Sequence, residues 1–585
     1  MSAKRREESS FLDEIRAHDA AVRAVIPELW IGAEPTFTRA DSQHVAWLFE
    51  AQGDDKEDRA LSLLRSLATR LGRSVRLSRV EGRAYAGEER PRFALAATWA
   101  RENDDGAHVD DSALAVEPTP VPAIDTRTTA WLTVTPDPGV VEVNAAPCAT
   151  LEEFFAQTCS VYAAAEDAGL SAQRHRYNGQ ICDSGGGGQL SLGGPSAERS
   201  PFFVNPTLLP ALLRYANRHP SLSYAFAPAC IGSAGQGPRP DEGVRERFDE
   251  LSVALELLER RVDEGAPPSP EELWGALAPL LVDGSGNSHR AEINVEKLWS
   301  PHLGARGRLG VVELRSLAMP STPERMTALA ALFRALAARL ARAPYREPLI
   351  DWGAALHDRF ALPMLLSLDL HEVLADLDAH GVGLGARMRG ELSRPVEPIV
   401  RTRFDDAELT ISPAREFWPL LGDTASQEHA GARLVDASTE RLEIVVRTSS
   451  TTRPGSLSVG GTRVPLVPLL ASPGGRASEA SYVAAVRYRA FVPAPGLHAS
   501  LSANDPIRFV WTRGDRAIAV TLHAWRPDGG GYDGLPTSEP EAARRRKERV
   551  VIAPCPPEPT RDLDPVSPTV SDARFTVDLR RPRPL

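Results

Sequence analysis

Two short segments, far apart in the chain, carry the residue types that phosphate and carboxylate chemistry needs. Val140-Val141-Glu142-Val143-Asn144 is one, and Val311-Val312-Glu313-Leu314-Arg315 is the other. Aliphatic and polar residues alternate in both, which predicts strands whose side chains point to opposite faces with a period of two. Glu142 and Asn144 then share one face, as do Glu313 and Arg315, while Val141, Val143, Val312 and Leu314 turn toward a core. A face presenting carboxylates, an amide and a guanidinium suits divalent cations and a phosphorylated ligand. Either segment taken alone also reads as an ordinary half-buried strand with its polar side in water.

Several elements must position these strands. Leu29-Trp30-Ile31-Gly32 reads as a strand running into Glu34-Pro35-Thr36-Phe37. Leu61, Leu64, Leu67 and Leu71 fall at helical spacing and predict an amphipathic helix over 57–71. Residues 101–123, acidic and then proline-rich, are expected to form a mobile connection. A strand over 131–144 leads to a helix over 151–168, then to Gly185-Gly186-Gly187-Gly188 and the strand Gln189-Leu190-Ser191-Leu192. Such glycines let backbone amides approach a ligand closely, although a glycine tract by itself also serves as a plain flexible loop. Helices follow over 205–217 and 244–262, a strand pair over 289–296 and 309–317, an Ala/Leu helix over 322–342, and helical chain to about 393. Beyond about 395, short Val/Ile/Thr runs such as Leu442-Glu443-Ile444-Val445-Val446 alternate with Gly/Pro/Ser turns, the pattern of a β-sandwich. From 551 the chain is rich in proline and arginine and is expected to be disordered. The division expected is thus a tail and lead-in helix over 1–24, an α+β domain over 25–395, a β-rich domain over 396–550 and a tail over 551–585.

Composition narrows the classes. The chain has 585 residues, 42% hydrophobic and 25% charged, with a net charge of −11, which fits a globular protein and offers no basic footprint for nucleic acid. No apolar run approaches a membrane span, and the charged start, Met1 to Glu8, has no apolar stretch behind it, so neither a membrane protein nor a secretory leader is expected. The five cysteines are scattered without a CxxC pair, which supports neither a disulfide framework nor a structural zinc site. A cytoplasmic location is the expectation.

The ordered set of motifs resembles a known family. Gly32 to Phe37, Thr135-Pro136-Asp137-Pro138-Gly139, His219 to Tyr224, Gly284 to Glu292 and Gly307 to Arg315 look like the amidoligase domain of large bacterial transglutaminase-like proteins. Val486 to Ala490 and Gly531-Tyr532-Asp533 continue the likeness, which covers about residues 30 to 545. That domain is placed among the glutamine-synthetase-like carboxylate–amine ligases. The resemblance implies an α+β fold: a glutamine-synthetase-like curved antiparallel sheet with flanking helices, followed by the β-sandwich-like domain. It implies Mg²⁺ or Mn²⁺ held by Glu34, Glu142, Glu313 and Gln189, with Thr36 where a second acid often stands. It further implies ATP phosphates met by Arg290 and Arg315, a substrate- or loop-ordering amide at Asn287, and backbone approach at Gly186 and Gly187. Lys297 and Arg239 are weaker phosphate candidates that read more readily as solvated surface charges. Asn144 is open between metal, substrate and turn.

The reaction implied is ATP-dependent amide or isopeptide formation through an acyl phosphate. Its substrates would be a peptide or small carboxylate and an amine, with ATP-grasp or transglutaminase-like proteins as pathway partners. Two departures bear on activity. Relatives carry His where this chain has Gln189, and Asp-Gly-Arg-His where it reads Asn178-Gly179-Gln180-Ile181; His175 lies close enough to substitute. These departures support a second reading, a catalytically degenerate relative that binds a nucleotide or peptide as a partner. A cysteine nucleophile finds no support, because Cys159 falls within a predicted helix and has no paired histidine.

Overall fold

The computed structural model describes residues 3–40, 53–81, 93–100, 108–116, 119, 128–137, 139–184, 187–423, 433–449, 453–469, 479–492, 501–562 and 574–580. Its first half is organised by a ten-stranded sheet. From one edge the order is Ile293–Asn294, Val312–Leu314, Gly188–Gly193, Trp30–Arg39, Val140–Ala145, Thr129–Asp137, Phe93–Ala100, Val75–Glu81 and Val109–Ala113, with Leu170–Ser171 paired beside Trp30–Arg39. The neighbours run antiparallel except at the far edge, where Val75–Glu81 and Val109–Ala113 are parallel. That edge strand lies within 101–123, where a mobile connection was expected.

One face of the sheet is apolar. Ile31, Ala33, Phe37, Val141, Val143, Leu190, Leu192, Val312 and Leu314 are all buried in one cluster with residues of the helices Ala3–Arg23, Gly53–Arg70, Leu151–Asp167 and Pro323–Arg342. The Leu151–Asp167 helix starts where the sequence instructs it to, with Thr150 accepting from the Glu153 amide and the Glu153 carboxylate accepting from the Thr150 amide. Asp19 adds an anion at the same helix start, accepting from the Leu151 amide at 2.9 Å, and also receives Arg334 at 2.5 Å. Pro323–Arg342 is buried on nearly every side, which its Ala/Leu composition permits.

Beyond residue 395 two further sheets share an apolar core. A six-stranded sheet contains Val400–Phe404, Ala407–Pro413, Thr439–Ser449, Glu479–Arg489, Val467–Leu469 and Thr576–Asp578; a five-stranded one contains Thr462–Val464, Ser456–Val459, Ile507–Arg513, Arg516–Leu522 and Val550–Cys555. Ile444 and Val486 of the first are buried with Phe509 and Trp511 of the second. The stretch 551–585, expected to be disordered, thus gives strand residues to both sheets. Backbone pairing is indifferent to the arginine content that suggested disorder, and at an edge strand it tolerates proline.

The division expected at 395/396 is bridged by buried bonds. Cys230 pairs with Glu416 in a short parallel ladder, the Met364 amide donates to Glu443 at 2.7 Å, and Asp358 accepts from the Arg574, Phe575 and Thr576 amides. No helix among the described residues is long and apolar enough to cross a membrane.

Candidate functional site

Across its middle strands the sheet's second face is polar, and strand register decides which side chains meet there. Glu34 stands directly opposite Gln189, Thr36 opposite Glu142, Ser191 opposite Glu313, and Glu313 opposite Asn294. Directly paired residues share a face, as do residues two apart on one strand. Glu34, Glu142, Gln189, Glu313 and Arg315, drawn from four adjacent strands, therefore project from one face. Lys297, on the short helix Glu296–Trp299, reaches the same place from the side.

Glu313 is the centre of the charge arrangement. It is 2% exposed, and each of its oxygens has a cation: Oε2 receives Lys297 Nζ at 2.7 Å and Oε1 receives Arg315. Burial alone would raise the carboxyl's pKa, but Lys297 and Arg315 outweigh it and hold the group below the ordinary range. Lys297 Nζ also donates to Glu34 Oε1 at 2.7 Å. Burial works against that ammonium, yet Glu34 and Glu313 raise its pKa, so it stays charged.

Arg315 is 6% exposed and fully engaged at its tip, donating to Gln189 Oε1 at 3.1 Å as well as to Glu313, with Nη2 3.3 Å from His289 Nε2. A guanidinium only donates, so His289 Nε2 accepts and its Nδ1–H donates to Glu296 Oε2 at 3.0 Å. That bond holds the Glu296 carboxyl down at about 2. One continuous relay thus runs Glu296–His289–Arg315–Glu313–Lys297–Glu34. Arg315 Nε alone has no partner among the described residues.

Several expected roles change. Arg315 lies in the floor of the site, where it orders Gln189 and Glu313 rather than presenting itself to a phosphate. Lys297 is not a loose surface charge: its side chain is 38% exposed, but its ammonium is held between the Glu34 and Glu313 carboxylates. Arg239 is fully buried, bonded to Asp241 through Nε at 2.9 Å and Nη2 at 2.8 Å and to the Ala216 and Asn217 carbonyls, which makes it a structural pin and removes it from the site. Asn287 is exposed and shapes a turn, its Oδ1 accepting from the His289 amide at 2.9 Å while its own amide donates to Asp283. Asn144 donates to Glu142 Oε1 at 2.7 Å and so orients that carboxylate. His175 pairs with Glu539 at 2.6 Å and does not stand in for the missing histidine.

The glycine run has a packing reason. A side chain at Gly187 would collide with Thr36, and one at Gly188 with the Ala318 backbone, so these glycines let the strand close against its neighbours. Gly185 and Gly186 lie outside the described residues. A second glycine-bearing loop, Gly232-Ser233-Ala234-Gly235-Gln236-Gly237, went unnoticed in the sequence. A Cβ on Gly237 would lie 2.8 Å from the Arg315 carbonyl carbon, and Arg290 donates to the Gly235 carbonyl at 3.3 Å. His289 and Glu296 were also missed; their signal was local, a histidine beside Arg290 and an acid directly before Lys297.

The donor set suits a hard cation in part. Glu34, Glu142 and Gln189 offer the oxygen ligands that Mg²⁺ or Mn²⁺ prefers, although Gln189 Oε1 also accepts from Arg315 and Glu34 Oε1 from Lys297, whereas Glu313 has a side-chain cation on each of its two oxygens. Elsewhere His219, Asp369 and Glu372 bring ligating atoms together, but Asp369 is committed to His219 Nδ1 at 3.0 Å and to the Ser221 amide at 2.9 Å, tying two helices.

A family model described as "Putative amidoligase enzyme (DUF2126)" matches residues 15–120 and 103–580, which together span most of the chain. No curated protein matches it.

Proposed function

We propose that this chain, which belongs to that amidoligase family, is an ATP-dependent carboxylate–amine ligase of the glutamine-synthetase-like kind. The observation that carries this reading is the shared face: Glu34, Glu142, Gln189, Glu313 and Arg315, distant in sequence, converge on one side of one sheet. A carboxylate resists attack by an amine, and phosphorylation by ATP to an acyl phosphate gives it a leaving group. The amine nitrogen then attacks the acyl carbon, the C–O bond to phosphate breaks, and an amide or isopeptide bond results.

Each residue has a part in that scheme. Glu34, Glu142 and Gln189 would hold a divalent cation, which when bound supplies charge neutralisation at the phosphates. Arg290, whose Nη1 donates to the Gly235 carbonyl at 3.3 Å, is the guanidinium this reading assigns to a phosphoryl oxygen. Arg315 keeps the Gln189 amide oxygen and the Glu313 carboxylate in fixed orientation. Glu296 and His289 hold Arg315 in turn.

One observation favours a second reading, a binding protein that has lost turnover. Gln189 stands where relatives carry histidine, and its Oε1 already accepts from Arg315. Calorimetric titration of the full chain with Mg²⁺–ATP, followed by ADP release across a panel of carboxylates and amines, separates the two. Amine-dependent ADP release supports the ligase. Nucleotide binding without release supports the binding protein. Undetectable binding at millimolar nucleotide with Mg²⁺ or Mn²⁺ overturns the ligase reading.

A further inference from the structure

The relay described above contains one member whose chemistry differs from the rest. Lysine occurs at four positions in a chain with 67 basic residues, and one of them, Lys297, stands between two carboxylates of the polar face. An ammonium is a compact point charge with three donors, closer in size and directionality to a bare metal ion than a guanidinium is. We propose that Lys297 is a built-in cation at the Glu34–Glu313 position, so that Glu313 ligates no metal and the site takes a single divalent ion. The inference rests on the ligase-like reading of the face and concerns how that face is charged.

Three features support it beyond proximity. The ammonium is equidistant from its partners, 2.7 Å from Glu34 Oε1 and 2.7 Å from Glu313 Oε2, so it bridges the two strands that flank Gly188–Gly193. Its backbone is fixed at the same time: the Lys297 carbonyl accepts from the Leu309 amide at 3.0 Å and the Val311 amide at 3.3 Å. Those bonds attach the lysine to the segment entering the Glu313 strand, so side chain and target move as one body. Glu313, finally, has its other oxygen on Arg315 and is 2% exposed, which leaves it no oxygen free of a cation. A divalent ion entering there would have to displace an ammonium or a guanidinium and then face the one that remained, at a separation where like charges repel strongly. Glu34 keeps its second oxygen for the single ion that Glu142 and Gln189 would share.

The test counts metal ions without relying on turnover. Full-length protein is titrated with Mn²⁺ in the absence of nucleotide, and free Mn²⁺ is read by electron paramagnetic resonance. Wild type is expected to bind one ion per chain in this site. Lys297→Met, which keeps the length of the side chain and removes its charge, is expected to bind one more, with affinity at the new position about tenfold or more above the wild type's. Glu313→Gln in the Lys297→Met background should remove that extra ion. Two ions in wild type, or an unchanged count in Lys297→Met, overturn the proposal. A measurement on wild type guards against a variant that fails to fold: acetic anhydride labelling of the lysines, read by mass spectrometry with and without Mn²⁺. Unchanged Lys297 labelling supports a resident cation, whereas labelling that rises severalfold with Mn²⁺ shows a displaced one and overturns the proposal. Nucleotide binding by wild type is scored separately, so failure of the ligase reading and failure of the Lys297 proposal give different results.

Discussion

Glu313 and Glu443 are the same residue type, each on a strand, each nearly inaccessible at 2% and 4% exposure, yet the protein ionises them in opposite directions. Glu313, in the ten-stranded sheet, has a cation on each oxygen and is held below the ordinary carboxyl range. Glu443, in the six-stranded sheet, accepts from the Met364 amide at 2.7 Å at the start of the helix Pro363–Ala379, and burial pushes its pKa up to about 7. The sheets explain the contrast. The ten-stranded sheet has helices on one face and, over the strands Val312–Leu314, Gly188–Gly193, Trp30–Arg39 and Val140–Ala145, presents polar side chains on the other. The six-stranded sheet is covered on both faces, by the five-stranded sheet through Ile444 and Val446 and by Met364 and Leu365 through Val445 and Val483. Burial therefore does not mark the site. What separates Glu313 from Glu443 is a fixed cation on each oxygen, beside a Glu34 whose side chain is 20% exposed.

The comparison can be broken most sharply at Glu313. Glu313→Ala leaves Lys297 and Arg315 without their shared anion, and the expected loss is about 3–5 kcal/mol of stability in urea unfolding. Glu313→Gln should lose less. A loss under about 1 kcal/mol would mean that the cations do not depend on this carboxylate.

Glu443→Gln tests the other half and has the opposite sign. A carboxyl whose folded pKa lies near 7, above its ordinary 4.5, binds its proton more tightly in the folded state. Its stabilising contribution is full below about pH 4.5 and is lost as pH rises through 7. Glu443→Gln keeps an acceptor for the Met364 amide and has no proton to lose. The variant should match wild type at low pH and exceed it by about 3 kcal/mol at pH 8. Parallel pH profiles for the two proteins would contradict the assigned environment. Glu313 should show the reverse trend, its contribution present above the ordinary carboxyl pKa and lost on acidification.

Smaller effects are expected at the edges of the relay. Gln189→Ala removes one of the three Arg315 acceptors and should cost about 1.5 kcal/mol, with lower turnover if the chain is active; Gln189→His should retain turnover. His175→Ala should change stability by less than about 1 kcal/mol, since its pair with Glu539 is largely exposed, and should leave Mg²⁺–ATP binding unaltered. A defect in nucleotide binding there would return His175 to the site.

The amino-acid sequence by itself determined the polarity of each strand. Alternation is written in neighbouring residues, so Glu142 with Asn144, and Glu313 with Arg315, share faces whichever strands pair beside them. The helices over 57–71, 151–168 and 322–342 were legible for the same reason and match Gly53–Arg70, Leu151–Asp167 and Pro323–Arg342 closely. Tertiary structure alone decided the register that sets Glu34 opposite Gln189, because pairing between strands far apart in sequence leaves no local period to read. It also decided the fates of the long cations. Arg239, Lys297 and Arg315 are each a charge on a flexible stem, and which ends as a buried pin, a bridge between carboxylates or an orienting group depends on carbonyls and carboxylates that only the folded chain brings within reach.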